Sequence, residues 1–399
     1  MAETPWLTIV GLGEDGPDGL PPASRRALEK AEIVTGAARH LDLLPEVAAK
    51  ARPWPVPFAD GIDALLQLRG RDVVMLASGD PFWFGAGSVL ARHLKRGEWR
   101  ALPAPSSLSL AAAALGWPLE QTPCFGLHAA PFSRLRPALH PGARLLATVR
   151  DGAAVARLAH WLEAQGFGES GLYVLEALGG PRQRIRLIPA DGPIPTNIAH
   201  PVIVGIEVAG QGAVVPLASG RPDTLFDHDG QITKRPIRAM TLSTLAPCPG
   251  EHLWDIGGGS GSIAIEWLLA HPSTTACAFE INPARAARIE ENAHSLGVDR
   301  LEVLEGDALT RIGDPDLPDA VFIGGGISGA LLAELWDMLP EGVRVVANAV
   351  TLEGESLLTE WQGMKGGELM RIELATAQPL GRKRGWKASY PVVQWSVVT

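Results

Sequence analysis

Leu253-Trp-Asp-Ile-Gly-Gly-Gly-Ser-Gly261 decides the fold class of this 399-residue chain. An apolar strand runs into Asp255, a glycine turn follows, and a helix opens at Ser262-Ile-Ala-Ile-Glu-Trp-Leu-Leu269. Glycines at 257, 259 and 261 remove the Cβ atoms that would keep a ligand off the backbone. A strand, turn and helix of this kind form a nucleotide-type site at the carboxyl edge of a parallel sheet.

The neighbouring residues choose between cofactors. A dinucleotide fingerprint needs G-x-G-x-x-G, and counting from Gly257 the sixth position is Ser262. Asp255 stands two residues before the glycines, where an anion repels a diphosphate but suits the ammonium of S-adenosylmethionine. Two further acids follow in order. Glu280 ends the apolar run Thr275-Ala-Cys-Ala-Phe-Glu280, where a carboxylate can accept both ribose hydroxyls. Asp307 follows Leu301-Glu-Val-Leu-Glu-Gly306 and can take the adenine amino group. A fourth strand, Asp319-Ala-Val-Phe-Ile-Gly324, ends in more glycine. The alternative is a doubly wound domain with ordinary glycine turns and surface acids.

Length and composition predict more than one domain. Hydrophobic residues are 46% and charged residues 20%, a globular balance. The net charge of −9 argues against a general nucleic-acid binder, which needs a positive field. The apolar run Leu108 to Leu119 is too short to span a bilayer. Met1-Ala-Glu-Thr-Pro5 has no basic n-region, so no signal peptide is expected. Cys124, Cys248 and Cys277 form no C-x-x-C pair and read as reduced thiols of a cytoplasmic protein. The ten histidines show no zincin spacing, so no metal is expected. A homo-oligomer is expected.

The chain divides near residues 209–222, after the closing strand Pro201-Val-Ile-Val-Gly-Ile-Glu-Val208. The expected domains are 1–208 and 222–399. In the first, Trp6-Leu-Thr-Ile-Val10 leads into Gly11-Leu-Gly13, and Asp72-Val-Val-Met-Leu-Ala77 ends in Ser78-Gly-Asp-Pro-Phe82. Gly79 lets a ligand approach, Asp80 supplies an acceptor and Pro81 fixes the turn. Pro103-Ala-Pro-Ser-Ser107 precedes an alanine-rich helix, with Ser106 and Ser107 placed to cap it or to hold a ligand.

In order and spacing, Gly11-Leu-Gly13, Gly79-Asp-Pro81 and Ser106-Ser107 resemble the tetrapyrrole methylase family over most of residues 5–208. From Asp223 onward the chain resembles the decarboxylating precorrin methyltransferases. There Gly230-Gln-Ile-Thr-Lys-Arg-Pro-Ile-Arg-Ala239 precedes the glycine loop. The resemblance implies an α/β protein, with a tetrapyrrole methylase fold of two α/β subdomains followed by a Rossmann-like class I methyltransferase domain. It implies two S-adenosylmethionine sites: Gly11, Gly13, Gly79, Asp80, Pro81, Ser106 and Ser107 in the first half, and Thr233, Asp255, Gly257, Gly258, Gly259, Ser260, Gly261, Glu280, Asp307 and Ala308 in the second. It further implies a bifunctional enzyme of corrin-ring (cobalamin) biosynthesis. The first half methylates carbon 5; the second methylates carbon 15 and decarboxylates the ring-C acetate. Two departures stand beside the first site: Glu14-Asp15 replaces the family's Pro-Gly, and Ala104-Pro105 replaces the glycine before the serines.

A methyl sulfonium is already electrophilic, so such an enzyme mainly aligns donor and acceptor and excludes water. No triad or G-x-S-x-G pattern is needed, and none is present. A polycarboxylate substrate calls for cationic forks. Lys234, Arg235 and Arg238 form one candidate cluster; Arg382, Lys383 and Arg384, with Lys387, form another in the loop Gly381-Arg-Lys-Arg-Gly-Trp-Lys387. Arg134 and Arg136 have a weaker claim. His128 follows a strand end, where it reads as a general base or as a structural histidine, and Tyr390 reads as a site residue or as core in a terminal strand. Two alternatives stand: an RNA or small-molecule methyltransferase with a degenerate first half, for which twelve tryptophans could supply stacking, and a non-catalytic S-adenosylmethionine-binding scaffold.

Overall fold

The structure is a computed structural model that describes residues 5–399. Met1-Ala-Glu-Thr, read above for a leader, lies outside the described residues. Two compact units form: one runs to Phe132 and includes Ala138–Ala213, and the other comprises Ser133–Pro137 and Val214–Thr399.

The first unit holds two sheets. Strands β1 (Leu7–Leu12), β2 (Ile33–Gly36), β3 (Ala51–Pro53), β4 (Val73–Ser78) and β5 (Trp99–Leu102) make a parallel sheet in the order β3-β2-β4-β1-β5. Every residue of β1 is buried, as a strand covered on both faces requires. The helix Pro22–Lys30 buries Ser24, Ala27 and Leu28, a stripe at helical spacing, and starts on proline, whose missing N–H costs nothing there. The second sheet joins β6 (Cys124–Gly126), β7 (Arg144–Thr148), β8 (Gly171–Glu176), β9 (Arg184–Pro189) and β10 (Val202–Glu207) in the order β6-β7-β10-β8-β9. Only β6 and β7 pair in parallel; the others are antiparallel.

The second unit is built on seven strands. They are β11 (His252–Ile256), β12 (Thr275–Glu280), β13 (Glu302–Glu305), β14 (Ala320–Ile323), β15 (Arg344–Ala349), β16 (Glu368–Ile372) and, after a separate hairpin of β17 (Ala375–Leu380) and β18 (Lys383–Ala388), β19 (Val392–Val398). The order is β13-β12-β11-β14-β15-β19-β16. The first five are parallel, β19 runs antiparallel to β15, and β16 at the edge runs antiparallel to β19. The strand order reverses between β11 and β14, where the crevice of an open α/β sheet forms. Trp267 packs on one face of the sheet; Trp254 and Trp395 pack on the other, with Trp336 stacked on Trp395. These tryptophans are core, so they offer no stacking surface to a nucleic acid. Among the described residues no helix is long and apolar enough to cross a membrane. Cys124, Cys248 and Cys277 are unpaired.

One buried carboxylate ties this unit together. Glu266, on the helix Ser262–Ala270, accepts from the backbone N–H of Gly220 (2.8 Å) and Arg221 (2.9 Å), from Arg221 Nη1 (3.3 Å) and from Arg238 Nε (2.7 Å). Arg238 is fully buried, pairs also with Asp223 Oδ1 at 2.9 Å, and donates to the carbonyl oxygens of Thr233 and Arg221. Removing one partner of a buried pair strands the other charge, at a cost of about 3–5 kcal/mol. Arg238→Ala is therefore expected to destabilise the second unit by about that amount in urea unfolding followed by tryptophan fluorescence. A change indistinguishable from that of an exposed arginine would show that the network contributes nothing net.

Candidate cofactor and substrate site

The turn after β11 is fixed by the neighbouring strand. Gly257 and Gly258 both donate to the Phe279 carbonyl at 3.0 Å, and Gly324 donates to the Ile256 carbonyl at 2.9 Å. A Cβ on Gly257 would stand 2.7 Å from Gly325 backbone, and one on Gly261 would stand 2.7 Å from Ile289. These two glycines serve chain crossing and helix packing. Gly259, at φ +61°, has nothing nearer than 3.9 Å on its Cβ side, so its open face is the one that a ligand can approach. Ser260 is buried, and its Oγ has no hydrogen-bond partner among the described residues.

A cavity of about 1020 Å³ opens at this turn. It sits at the top of the roughly 300–1,000 Å³ range of small-molecule sites, enough for a nucleoside-sized cofactor and part of a second molecule. Three acids mark one side. Asp255 is 1% exposed, and Oδ2 accepts from Ala264 N–H at 3.0 Å. Burial pushes its carboxyl up to about 7; the Ala264 bond opposes this and the Glu280 charge adds to it. Glu280 accepts from Gly259 N–H through Oε2 (2.8 Å) and from Asn282 N–H through Oε1 (2.9 Å), leaving a lone pair on each oxygen. Asp307 caps the short helix Ala308–Arg311, accepting from Leu309 N–H at 3.1 Å. Thr233, Gly257, Gly258, Gly259, Ser260 and Ala308 also line the cavity. These groups fit an ammonium, a vicinal diol and a purine.

The cations are arranged differently from the sequence expectation. Lys234 lines the cavity. Arg238 does not: its guanidinium is buried in the Glu266 network, with its charge already matched. Arg235 is exposed at the start of the helix Arg235–Leu245 and outside the lining. Arg382, Lys383 and Arg384 belong to the β17–β18 hairpin, at its turn and the first residues of β18, and none lines the cavity. The loop expected there is a strand pair, whose other end carries Thr376, Lys387, Ala388 and Ser389 into the wall. Tyr390, read as possible core, is 87% exposed and lies at the same wall. Asn348, at the end of β15, also lines the cavity and was missed; a lone amide in an apolar strand was its only signal.

In the first unit a Cβ on Gly11 would stand 1.9 Å from the Gly79 carbonyl oxygen, and Gly79 lies at φ +50° against Pro105 and Ser106. Gly13 and Gly19 are overlain by the Asp15 carboxylate. Asp80 accepts from Phe82 N–H at 2.8 Å, ahead of which Pro81 sets the turn. Ser106 caps the helix Ser107–Leu115 by accepting from Ser109 N–H at 3.0 Å. Glu14 is held by Arg39 and Arg182. The space among Gly13, Glu14, Arg39, Gly79 and Ser107 is about 30 Å³, room for one water. These residues do not enclose a nucleoside-sized cofactor in this conformation. His128 is exposed, and His40 is buried with its pKa lowered to about 3, chiefly by burial and then by Arg39.

Comparison with known proteins matches residues 6–191 to the tetrapyrrole (corrin/porphyrin) methylases and residues 224–399 to the precorrin methyltransferase domain. A Sinorhizobium protein named precorrin-6Y C(5,15)-methyltransferase [decarboxylating] is 48% identical, covering 98% of this chain and 96% of its own. The chain belongs to that family. It is an enzyme with two methyltransferase domains of S-adenosylmethionine-dependent families, in the α/β architecture expected. Two Salmonella typhimurium relatives match it in part. A cobalt-precorrin-6B C(15)-methyltransferase (decarboxylating) is 34% identical over 40% of this chain and 85% of its own. A cobalt-precorrin-7 C(5)-methyltransferase is 28% identical over 46% of this chain and 90% of its own.

The Asp255 carboxyl makes a pH signature. An acid raised from 3.8 to about 7 costs the cofactor-free unit stability as pH climbs through that window. A bound ammonium favours the ionised form, so binding releases a proton below about 7. Calorimetric affinity for S-adenosylmethionine at the second unit is expected to rise up to about tenfold per pH unit below pH 7 and to level off above it. Asp255→Asn should abolish that slope. A flat profile in the unaltered protein would show that no cation meets Asp255.

Proposed function

We propose that the chain methylates carbons 5 and 15 of the corrin precursor precorrin-6B and removes the carboxyl of its ring-C acetate, giving precorrin-8X. The observation that carries this is likeness from end to end with a relative named for both methylations and the decarboxylation. Residues 1–208 are assigned the carbon-5 step. Residues 222–399 are assigned the carbon-15 step and the decarboxylation. The two Salmonella relatives, each named for one part, favour that division. Each domain is assigned its own S-adenosylmethionine site, and the protein is assigned to the cytoplasm as a homo-oligomer without nucleic-acid partner.

In the second domain the bound cofactor supplies an electrophilic methyl group. Asp255 holds its ammonium, Glu280 its ribose hydroxyls, and Asp307 with Ala308 its base. The turn from Gly257 to Gly261 brings backbone against it, with Ser260 Oγ as a further polar contact and Thr233 at the edge. Lys234 and Lys387 receive carboxylates of the macrocycle. No protein nucleophile is required, because an electron-rich meso carbon attacks directly once aligned and shielded from water.

One observation favours a second reading for the first domain. Its 30 Å³ space and the Glu14–Arg39–Arg182 cluster fit a unit without methyl transfer of its own. Product analysis on the full chain separates the readings. Glu280→Gln is expected to weaken cofactor binding in the second domain by about tenfold, the worth of charge-assisted hydrogen bonds to the ribose. With S-adenosylmethionine held well below its dissociation constant, carbon-15 methylation of precorrin-6B should slow by about the same factor while carbon-5 methylation is unchanged. Absence of any methyl transfer in that variant would remove the carbon-5 role of the first domain, and unchanged double methylation would return Glu280 to a structural acid.

A further inference from the structure

Asn348 carries a side-chain amide whose orientation is set from behind. Gln394 Nε2 donates to Asn348 Oδ1 (2.9 Å) and to Thr241 Oγ1 (3.1 Å), and Asn348 Nδ2 donates to Thr241 Oγ1 (2.9 Å). Thr244 Oγ1 donates to Gln394 Oε1 at 3.0 Å. Thr241 is fully buried and Gln394 is 1% exposed, so water does not complete the set. Thr244 Oγ1 also lies 3.0 Å from the Met240 carbonyl, so its one proton is shared between two acceptors. Whichever way the amide pair is turned, one N–H of Asn348 Nδ2 is spent on Thr241 or Gln394. Asn348 is half-buried and lines the cavity, with one N–H left unused.

Its place in the sheet says what that N–H meets. Asp255, Glu280 and Asp307 lie at the ends of β11, β12 and β13, and Asn348 lies at the end of β15, two strands from β11 on the other side. At about 4.8 Å per strand the separation is about 10 Å. The cavity also carries the apolar side chains Ile237, Val350, Ile372 and Val392, and its cations are Lys234, Lys387 and Arg285, the last already paired with Asp229 at 2.8 Å. The cofactor's polar groups are matched on the acidic side, so the second molecule in the cavity is the one that faces Asn348.

We infer that Asn348 is a substrate-positioning residue that holds the acetate carboxylate destined for loss, while Lys234 and Lys387 hold carboxylates that are retained. This rests on the function proposed above. In the step concerned, the bond between the acetate methylene and its carboxylate carbon breaks and carbon dioxide leaves. The electron pair passes into the conjugated ring imine, and a proton from water ends on the former methylene, which becomes methyl. Negative charge leaves the carboxylate as that bond breaks. A cation there would stabilise the starting state more than the transition state, and a neutral N–H orients the group with less of that penalty.

The test uses the full chain with precorrin-6B and S-adenosylmethionine. Carbon dioxide release is read as kcat and KM, beside cofactor affinity and carbon-5 methylation. Asn348→Asp keeps the size and lets the Thr241 hydroxyl donate back, but presents an anion to the acetate. It is expected to lower kcat/KM for carbon dioxide release by about tenfold or more, with cofactor affinity and carbon-5 methylation unchanged. Asn348→Lys is expected to lower KM and kcat together. Unchanged release in Asn348→Asp, a higher kcat in Asn348→Lys, or cofactor affinity falling in step with release would each overturn the assignment. An unaltered enzyme that releases no carbon dioxide would instead refute the functional reading beneath it.

Discussion

The buried Glu266 carboxylate is the constraint on which the second unit depends. It stands in an otherwise apolar helix, Ser262–Ala270, whose neighbours Ile263, Ala264, Ile265 and Trp267 are all in the core. A carboxylate there is tolerable only if every charge and lone pair is met. The chain meets them by bringing Gly220, Arg221 and Arg238 inward. That requirement fixes the segment leading into the domain. It also fixes the Thr233 carbonyl, which accepts from Arg238, and so sets the edge of the cavity next to Lys234. A residue that touches no ligand thus determines where ligand-facing residues stand.

The cavity divides by charge along the sheet. Strands β11, β12 and β13 end in acids, and β15 and the β17–β18 hairpin contribute an amide, hydroxyls and a lysine. A cofactor with an ammonium, a sulfonium and ribose hydroxyls suits the first side, and a polycarboxylate suits the second. The same polarity discourages reversed binding, because macrocycle carboxylates on the acidic side would face like charge with little water to screen it. Asp255 is the sharpest element of this arrangement. Burial holds its carboxyl well above the usual carboxylate range and favours the neutral form in the absence of a cation, which limits the cost of burying it before binding.

The sequence made the fold legible wherever local pattern and tertiary role coincide. Apolar strands leading to Asp255, Glu280 and Gly324 appear where continuous apolar runs and glycine place them, because a parallel strand covered on both faces must be apolar throughout. Positive charge was the least legible feature. Arg238 and Lys234 sit four residues apart, yet one is buried against Glu266 and the other lines the cavity. Nothing local separates them; only the lone acid within Ile263-Ala-Ile-Glu-Trp267 hinted that an arginine would be drawn inward. The basic run Arg382-Lys-Arg384 likewise reads as a ligand grip. In the hairpin it stands at the far end, and the lysine at the cavity is Lys387, opposite Thr376 across the strand pair. Asn348 depends on partners at positions 241 and 394, a separation that no motif spans.

The glycine motifs of the two halves look alike and do different work. Gly11 is glycine because the Gly79 carbonyl and the Ala104 nitrogen occupy the place of its Cβ, and Gly257 is glycine because Gly325 does. Both report a neighbouring backbone crossing closely at a strand end, a requirement of the fold that holds with or without a ligand. Gly259 differs, since its side is open and its N–H is already committed to Glu280, the acid that faces the cavity. In the first half the equivalent opening is taken up by Asp15 over Gly13 and Gly19 and by Glu14 between two arginines. A glycine loop after a strand is therefore evidence of topology first. What distinguishes a ligand site within it is the glycine whose missing side chain leaves space that the protein itself does not fill.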